Sequence, residues 1–245
     1  EAYQRESEAG ESLWVGLMEP GKYNPRDMPL KDTANTDLIY HNGSILALWY
    51  LAGKPYKLDP KTLETIGPED FNGALDIDVS AHAKVDKYTD EVFFFDQSFT
   101  PPYLAYGVAN GDGELVHSVP IEVPGPRQPH DMAITENYSI LMDLPLFADP
   151  EALAKGRYKI GFHEDIPSRF GVIPRYGGSD SIRWFEAEPC YLYHVVNAWE
   201  EDGEIVMIAC RAKDPSPDST DQTPLARMLA YLRLDAQMYE WRFDL

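Results

Sequence analysis

The chain has 245 residues, of which 44% are hydrophobic and 25% charged, a composition typical of a globular protein with one large core. Its formal net charge is −20. No basic surface would offset phosphate repulsion, so we expect no nucleic-acid partner. The same charge argues against electrostatic docking on anionic lipid, although an apolar surface patch could still make peripheral membrane contact.

The cysteines and the N-terminal residues indicate the cellular compartment of the protein. There are only two cysteines, Cys190 and Cys210, and we expect both to be buried and reduced. The opening residues EAYQRESE have no apolar signal core, and no run approaches the roughly 18 apolar residues of a membrane helix. These features predict a cytoplasmic protein.

In chain order, the sequence predicts many short strands and almost no helix. Residues 1–34 are charged and contain prolines, which favours a loop or short helix. A His-Asn-Gly turn between the apolar runs 38–40 and 45–50 predicts a β-hairpin. Further strands are predicted at 93–95, 104–108, 115–123, 139–146, 170–173, 181–185, 191–196, 205–210, 225–234 and 239–245. Residues 150–156 form the one helix candidate, with proline at its start and glycine at its end, and residues 213–224 have the composition of a mobile loop.

This strand-rich pattern indicates an all-β fold, either a sandwich, a barrel or a β-propeller. Three histidines favour the propeller. His82, His130 and His194 each precede a turn and a buried strand, at separations of 48 and 64 residues. Propeller blades repeat at roughly 40–50 residues, so such histidines would converge where the blades meet. Imidazole ligands suit Fe, Zn, Cu and Ni, and the residues alone do not choose among these metals.

Three motifs carry a resemblance to a known family. Residues 80–86 (SAHAKVD), 129–138 (PHDMAITENY) and 194–201 (HVVNAWEE) are similar to three of the four histidine motifs of the carotenoid cleavage oxygenases. That family also includes stilbene- and phenylpropene-cleaving oxygenases and a retinoid isomerase. The resemblance implies a seven-bladed propeller with loops forming a cap. Seven blades of about 45 residues need more than 300 residues, so residues 1–245 are expected to be one propeller domain that lacks some blades at both ends.

The resemblance also implies a cofactor and a reaction. Fe(II) would be held by four histidines, namely His82, His130, His194 and a fourth expected outside this chain. It would activate O2 beside a bound apolar alkene and split one carbon–carbon double bond into two carbonyls, without nicotinamide or flavin. An apocarotenoid is the leading substrate. A stilbene or phenylpropenoid oxygenase and a propeller that serves as a non-catalytic binding scaffold are the alternatives.

Two neighbouring positions depart from the family pattern. Its members orient the histidines with glutamates, and one of these is expected within residues 48–53, which contain no carboxylate. Tyr50 falls closest, and its phenol oxygen could accept the imidazole N–H. Trp49 stands where hydroxystilbene-cleaving members keep a lysine, which favours an apolar polyene end.

Each of the remaining candidate site residues could have a structural role instead of a functional one. Trp49, Phe95 and Phe147 are predicted to line the substrate site, although aromatic residues at strand spacing are more often core. Asp131, Arg169 and Arg175 are expected to join loops through ion pairs, and Glu136 to serve a turn. The other histidines, His41, His117 and His163, are expected to have surface or structural roles.

Overall fold

The computed structural model describes residues 34–50, 53–148, 160–215 and 235–245. Four expectations fall wholly or largely outside these ranges: the loop or short helix at 1–34, the helix at 150–156, the loop at 213–224 and the strand at 225–234.

The first sheet begins with the hairpin expected from the His-Asn-Gly turn. Strands β1 (Asp37–His41) and β2 (Ser44–Leu48) pair antiparallel around Asn42 and Gly43. Both turn residues have positive φ, +42° and +77°, as a two-residue hairpin turn of matching twist requires. Strands β3 (Tyr56–Leu58) and β4 (Thr65–Pro68) complete a four-stranded antiparallel sheet in chain order.

Three further large sheets follow along the chain. The second contains β5 (Lys84–Val85), β6 (Val92–Gln97), β7 (Leu104–Ala109) and β8 (Leu115–Ile121). The third contains β9 (Ala133–Ile134), β10 (Tyr138–Asp143), β13 (Ser168–Pro174) and β14 (Arg183–Ala187), and the small pair β11 (Leu146–Ala148) and β12 (Ile160–Phe162) interrupts it in sequence. The fourth contains β15 (Tyr191–Glu201), β16 (Glu204–Ala212) and β17 (Ala236–Asp244).

The all-β prediction is confirmed for the described residues, whose only helical element is the 3₁₀ turn Ser179–Ser181. No helix in these ranges is long and apolar enough to cross a membrane. The closed propeller stays a prediction.

Alternate residues of the central strands pack against opposite neighbouring sheets. In β6, Phe94 belongs to the core shared with the first sheet, whereas Phe93 and Phe95 belong to the core shared with the third. In β10, Leu141 faces the second sheet, and Ile140 belongs to the core shared with the fourth. Because side chains alternate along a strand, one apolar strand can serve two cores. The four sheets therefore stack face to face in chain order.

Ion pairs join neighbouring strands and the loops between sheets. The Asp143 carboxylate accepts hydrogen bonds from Arg127 at 2.6 Å and from Arg169, and Arg175 pairs with Asp86 at 2.7 Å. Arg175 thus joins two loops as expected, whereas Arg169 pairs with the residue directly opposite it on β10, within the third sheet.

Candidate metal centre

Three consecutive sheets each contribute one histidine to a single cluster. His82 lies just before β5, His130 lies just before β9, and His194 lies within β15. One ligand nitrogen from each ring lies within 4.8 Å of the other two, and the Nε2 atoms of His82 and His130 are 3.2 Å apart. The structure thus brings together the three histidines that the sequence motifs single out.

His82 is directed by an unusual backbone conformation. Its φ is +64°, a left-handed value that few residues other than glycine adopt. The carboxylate of Asp37 accepts the His82 N–H at 3.0 Å, and the same oxygen lies 3.7 Å from Nδ1. Asp37 therefore stabilises the backbone of this residue, while its contact with the ring is too long for a hydrogen bond.

His130 is held between two aromatic rings. Pro129 restricts the approach to it, and the rings of Tyr50 and Tyr193 lie 4.3 Å and 5.2 Å from the imidazole, measured between centroids. Its Nδ1 is buried and meets no hydrogen-bond partner among the described residues. The packing of rings, and not a hydrogen bond to Nδ1, orients this imidazole in the described part of the chain.

His194 lies in a bulged stretch of β15. The pairing with β16 shifts register between Leu192 and Val195, and again between Val195 and Asn197. Each shift leaves an extra residue on β15, and such bulges redirect side chains near functional sites. The His194 side chain is exposed, unlike those of the other two histidines, which are partly buried.

The electrostatics favour neutral rings at two positions. Burial, followed by the neighbouring rings of His82 and His194, lowers the pKa of His130 to about 3. Burial also lowers the pKa of His82, while the carboxylates of Asp131 and Asp37 act in the opposite direction. A neutral imidazole is the form that binds a metal ion, so these two rings need lose no proton on binding near neutral pH.

The nitrogen separation fits a shared cation. Two imidazole nitrogens about 2.1 Å from one ion and about 90° apart are separated by about 3.0 Å, close to the 3.2 Å between His82 and His130. Within the described ranges, this is the one cluster of at least three histidine, cysteine or acidic residues with such spacing.

The other three histidines make structural contacts. The ring Nε2 of His41 lies 2.8 Å from the Asn110 carbonyl oxygen, and that of His117 lies 3.0 Å from the Gly177 carbonyl oxygen. The ring of His163 stacks on Phe147 at 4.1 Å. These contacts agree with the structural roles expected for them.

Tyr50 lies beside the centre. Its ring faces His130, and its hydroxyl lies 3.4 Å from that of Tyr191. The Tyr50 carbonyl accepts hydrogen bonds from Ser80 Oγ and Gln97 Nε2, both at 2.6 Å. A role for Tyr50 in orienting His130 stays a prediction, with the ring face as the contact that the structure describes.

The predicted substrate-lining residues lie in packed surroundings. Trp49 and Phe95 are buried, and Phe95 is part of the core between the second and third sheets. Phe147 lies between the guanidinium group of Arg127, at 4.2 Å from its ring centre, and the ring of His163. Their contact with a substrate stays a prediction.

Two carboxylates near the centre have roles that the sequence reasoning missed. Asp37 precedes His82 by 45 residues, and no local pattern links them. Asp131 was expected to form an ion pair, which it does with Lys84 at 2.6 Å. It also accepts the Val195 N–H at 2.8 Å. Its adjacency to His130 was the only available signal.

These features define a class of protein. Stacked antiparallel sheets, three of which bring one histidine each to a common point, make an all-β protein with a histidine cluster that could hold a metal ion. The sequence profile of the family described as "RPE65: Retinal pigment epithelial membrane protein" matches residues 1–245. The chain belongs to this family, the carotenoid cleavage oxygenases, which confirms the resemblance seen in the three motifs.

Curated relatives of this chain carry oxygenase names. It is 44% identical over 218 residues to carotenoid 9,10(9',10')-cleavage dioxygenase of Crocus sativus, which covers 87% of this chain and 39% of that protein. It is 34% identical over 222 residues to isoeugenol monooxygenase of Pseudomonas nitroreducens, with 88% and 45% covered. The chain thus spans less than half the length of these two relatives.

Solved structures of similar fold agree. Lignostilbene dioxygenase of Pseudomonas brassicacearum matches with a TM-score of 0.81 and 30% identity, covering 99% of this chain and 51% of that one. Cobalt-substituted Synechocystis ACO matches with a TM-score of 0.77 and 26% identity, covering 99% and 54%.

Proposed function

We propose that the intact protein is a non-heme Fe(II) dioxygenase that cleaves a carbon–carbon double bond. Its substrate is an apocarotenoid or a related conjugated alkene, and cleavage with O2 gives two carbonyl products. The observation that carries this proposal is the convergence of His82, His130 and His194 from three different sheets.

The choice of iron rests on the donor atoms and on the relatives. Imidazole nitrogens suit iron as well as zinc, but zinc has no redox chemistry, whereas the relatives named above are oxygenases. Bound at the three imidazoles and at a fourth ligand outside this chain, Fe(II) would supply the activation of O2 beside the alkene.

The residues of this chain supply position and charge. The left-handed backbone at His82, the paired rings around His130 and the bulge at His194 fix the directions of the three imidazoles. The lowered pKa of His130 keeps its ring unprotonated and available as a ligand. Such a fixed set of ligands would leave the remaining positions on the ion for O2 and substrate.

The same family membership supports the architecture expected from the sequence. We propose that residues 1–245 form part of one seven-bladed propeller. The face-to-face stacking of four sheets in chain order supports this arrangement.

Two observations bear on the substrate. The Crocus relative is named for carotenoid cleavage. The buried Trp49 offers no charged group that could bind a phenol. An apocarotenoid is therefore the first candidate substrate. A stilbene or phenylpropenoid alkene is the second candidate, because isoeugenol monooxygenase and lignostilbene dioxygenase are also similar. A non-catalytic scaffold is the third, since Nδ1 of His130 has no carboxylate partner among the described residues.

Metal analysis followed by product analysis tests these candidates in the intact protein. We expect roughly one iron per chain, lost on His130→Ala and retained on His163→Gln. Mass spectrometry after aerobic incubation should then show carbonyl products from a carotenoid aldehyde. Products from only a hydroxystilbene or a phenylpropene would select the second candidate. Iron-free protein, or iron retained after His130→Ala, would refute the proposal and favour a scaffold.

A further inference from the structure

Asp131 contacts all three histidine-bearing segments. It follows His130 directly in sequence. Its Oδ1 atom lies 2.6 Å from Nζ of Lys84, which is two residues beyond His82. Its Oδ2 atom accepts a 2.8 Å hydrogen bond from the backbone N–H of Val195, the residue after His194. One carboxylate therefore links the second, third and fourth sheets at the point where their histidines meet.

This carboxylate is built into the interior. The Asp131 side chain is only 2% exposed, and its Oδ1 also accepts the N–H of Met132 at 2.7 Å. Buried charges of this kind are stable only when they are paired and fully hydrogen-bonded, as Asp131 is here. Loss of one partner would leave an uncompensated buried group.

The contact with Val195 acts on the bulge that directs His194. Val195 lies between the two register shifts of β15, where regular pairing with β16 is interrupted on both sides. A charge-assisted hydrogen bond to its N–H holds this irregular backbone against the third sheet. Asp131 thus helps to fix the backbone from which the exposed His194 side chain extends.

An amide could not replace the carboxylate. Asparagine has one acceptor oxygen, and its NH2 group would face either the Lys84 ammonium or the Val195 N–H. Asp131→Asn therefore breaks at least one of the two links between segments while it keeps the size of the side chain.

We propose that Asp131 is the positioning residue of the metal centre, fixing the segments of His82, His130 and His194 relative to one another. This inference rests on the proposed function, because it requires that the three imidazoles bind an ion.

Glu200 offers a matched control. It lies on the same strand as His194, about 20 Å farther along at the usual rise of an extended strand. Its carboxylate accepts hydrogen bonds from Thr135 Oγ1 at 2.5 Å and from the N–H of Asn137 at 2.8 Å. Glu200 therefore links the third and fourth sheets, as Asp131 does, but at a place remote from the centre. Glu200→Gln is the same chemical change as Asp131→Asn, from a carboxylate to an amide.

The test measures Co(II) binding by the intact, iron-free protein, with affinity from titration and ligand geometry from the visible absorption of bound cobalt. We expect Asp131→Asn to weaken cobalt binding by about 10–100-fold and to change the cobalt spectrum. Substitutions of residues that support metal ligands typically have an effect of this size. Glu200→Gln should leave the affinity within about twofold and the spectrum unchanged, even if both variants lose thermal stability alike.

Several outcomes would overturn the proposal. Wild-type affinity and spectrum in Asp131→Asn would do so, and so would an equal loss in Glu200→Gln. If Asp131→Asn does not fold, Lys84→Met decides, since it removes only the link to the His82 segment. A weaker affinity and altered spectrum there support the proposal, and wild-type values reject it. Wild-type protein that binds neither cobalt nor iron would reject the proposed function itself, and this inference with it.

Discussion

At the scale of single residues, His130 shows what its motif predicts and what it leaves out. The sequence predicts that His130 precedes a turn and a buried strand, and it does precede the β9–β10 pair. Its neighbours Tyr50 and Tyr193 come from positions 80 residues before and 63 residues after it. Contacts between such distant positions depend on how the sheets stack, so a local pattern cannot predict them.

The position of Tyr50 leads to a prediction that separates the contribution of its ring from that of its hydroxyl. Its ring faces His130 at 4.3 Å, and its hydroxyl points to Tyr191, whose hydroxyl lies 3.4 Å away. We therefore expect Tyr50→Phe to keep metal affinity within about threefold, and Tyr50→Ala to lower it about tenfold, when Co(II) is titrated into the intact protein. Equal losses in the two variants would instead assign the effect to the phenol oxygen.

At the scale of elements, the strands with strong apolar patterns were predictable and the short polar ones were not. The hairpin around Asn42 and Gly43 is confirmed, because its turn chemistry is local. Strands β3 and β4 were missed, since they are short and contain no buried residue; Asp59-Pro60 directly follows β3, and Gly67-Pro68 ends β4. The bulges in β15 were also missed, because they depend on tertiary contacts such as the one from Asp131.

The pairing of β6 with β7 contains a close approach that gives a second prediction. Phe94 lies directly opposite Gly107, and a Cβ atom on that glycine would lie 2.5 Å from Phe94 Cζ. Phe94 is fully buried and has little freedom to move. We expect Gly107→Ala to lower the free energy of unfolding by about 1–3 kcal/mol in denaturant titrations of the intact protein.

Gly161 in β12 is the control for this prediction. Among the described residues, a Cβ atom there would meet His163 Nε2 alone, at an ordinary 3.7 Å. Gly161→Ala should change the free energy of unfolding by no more than about 0.5 kcal/mol. If Gly107→Ala changed the free energy of unfolding as little as Gly161→Ala, Phe94 would not pack tightly against Gly107.

At the scale of the whole molecule, the spacing of the histidines was the most informative pattern in the sequence. Separations of 48 and 64 residues placed the three rings in successive sheets, and the structure places them in the second, third and fourth. This spacing favoured a propeller, and the family resemblance implied the number of blades. No sequence repeat marks the sheets, so composition and periodicity alone left a sandwich and a barrel equally open.

A centre assembled from three sheets predicts that metal binding stabilises the whole fold. Because the ligands come together only in the native state, an ion that binds there shifts the unfolding equilibrium. Adding Fe(II) without oxygen at about 100 times Kd should raise the free energy of unfolding of the intact protein by about 2.7 kcal/mol.

Two histidine variants check the origin of this stabilisation. His82→Ala should abolish it, and His163→Gln, which removes a ring stacked on Phe147 outside the cluster, should retain it. Stabilisation that survives His82→Ala would indicate binding elsewhere on the protein.

The order of the three histidines along the polypeptide has a consequence for biosynthesis. Ribosomes add about 5–20 residues per second, so several seconds separate the appearance of His82 from that of His194. During that interval the nascent chain offers at most two of these imidazoles, which hold an ion far less firmly than the complete set. We therefore expect a metal ion to enter the centre only after the second, third and fourth sheets have folded together.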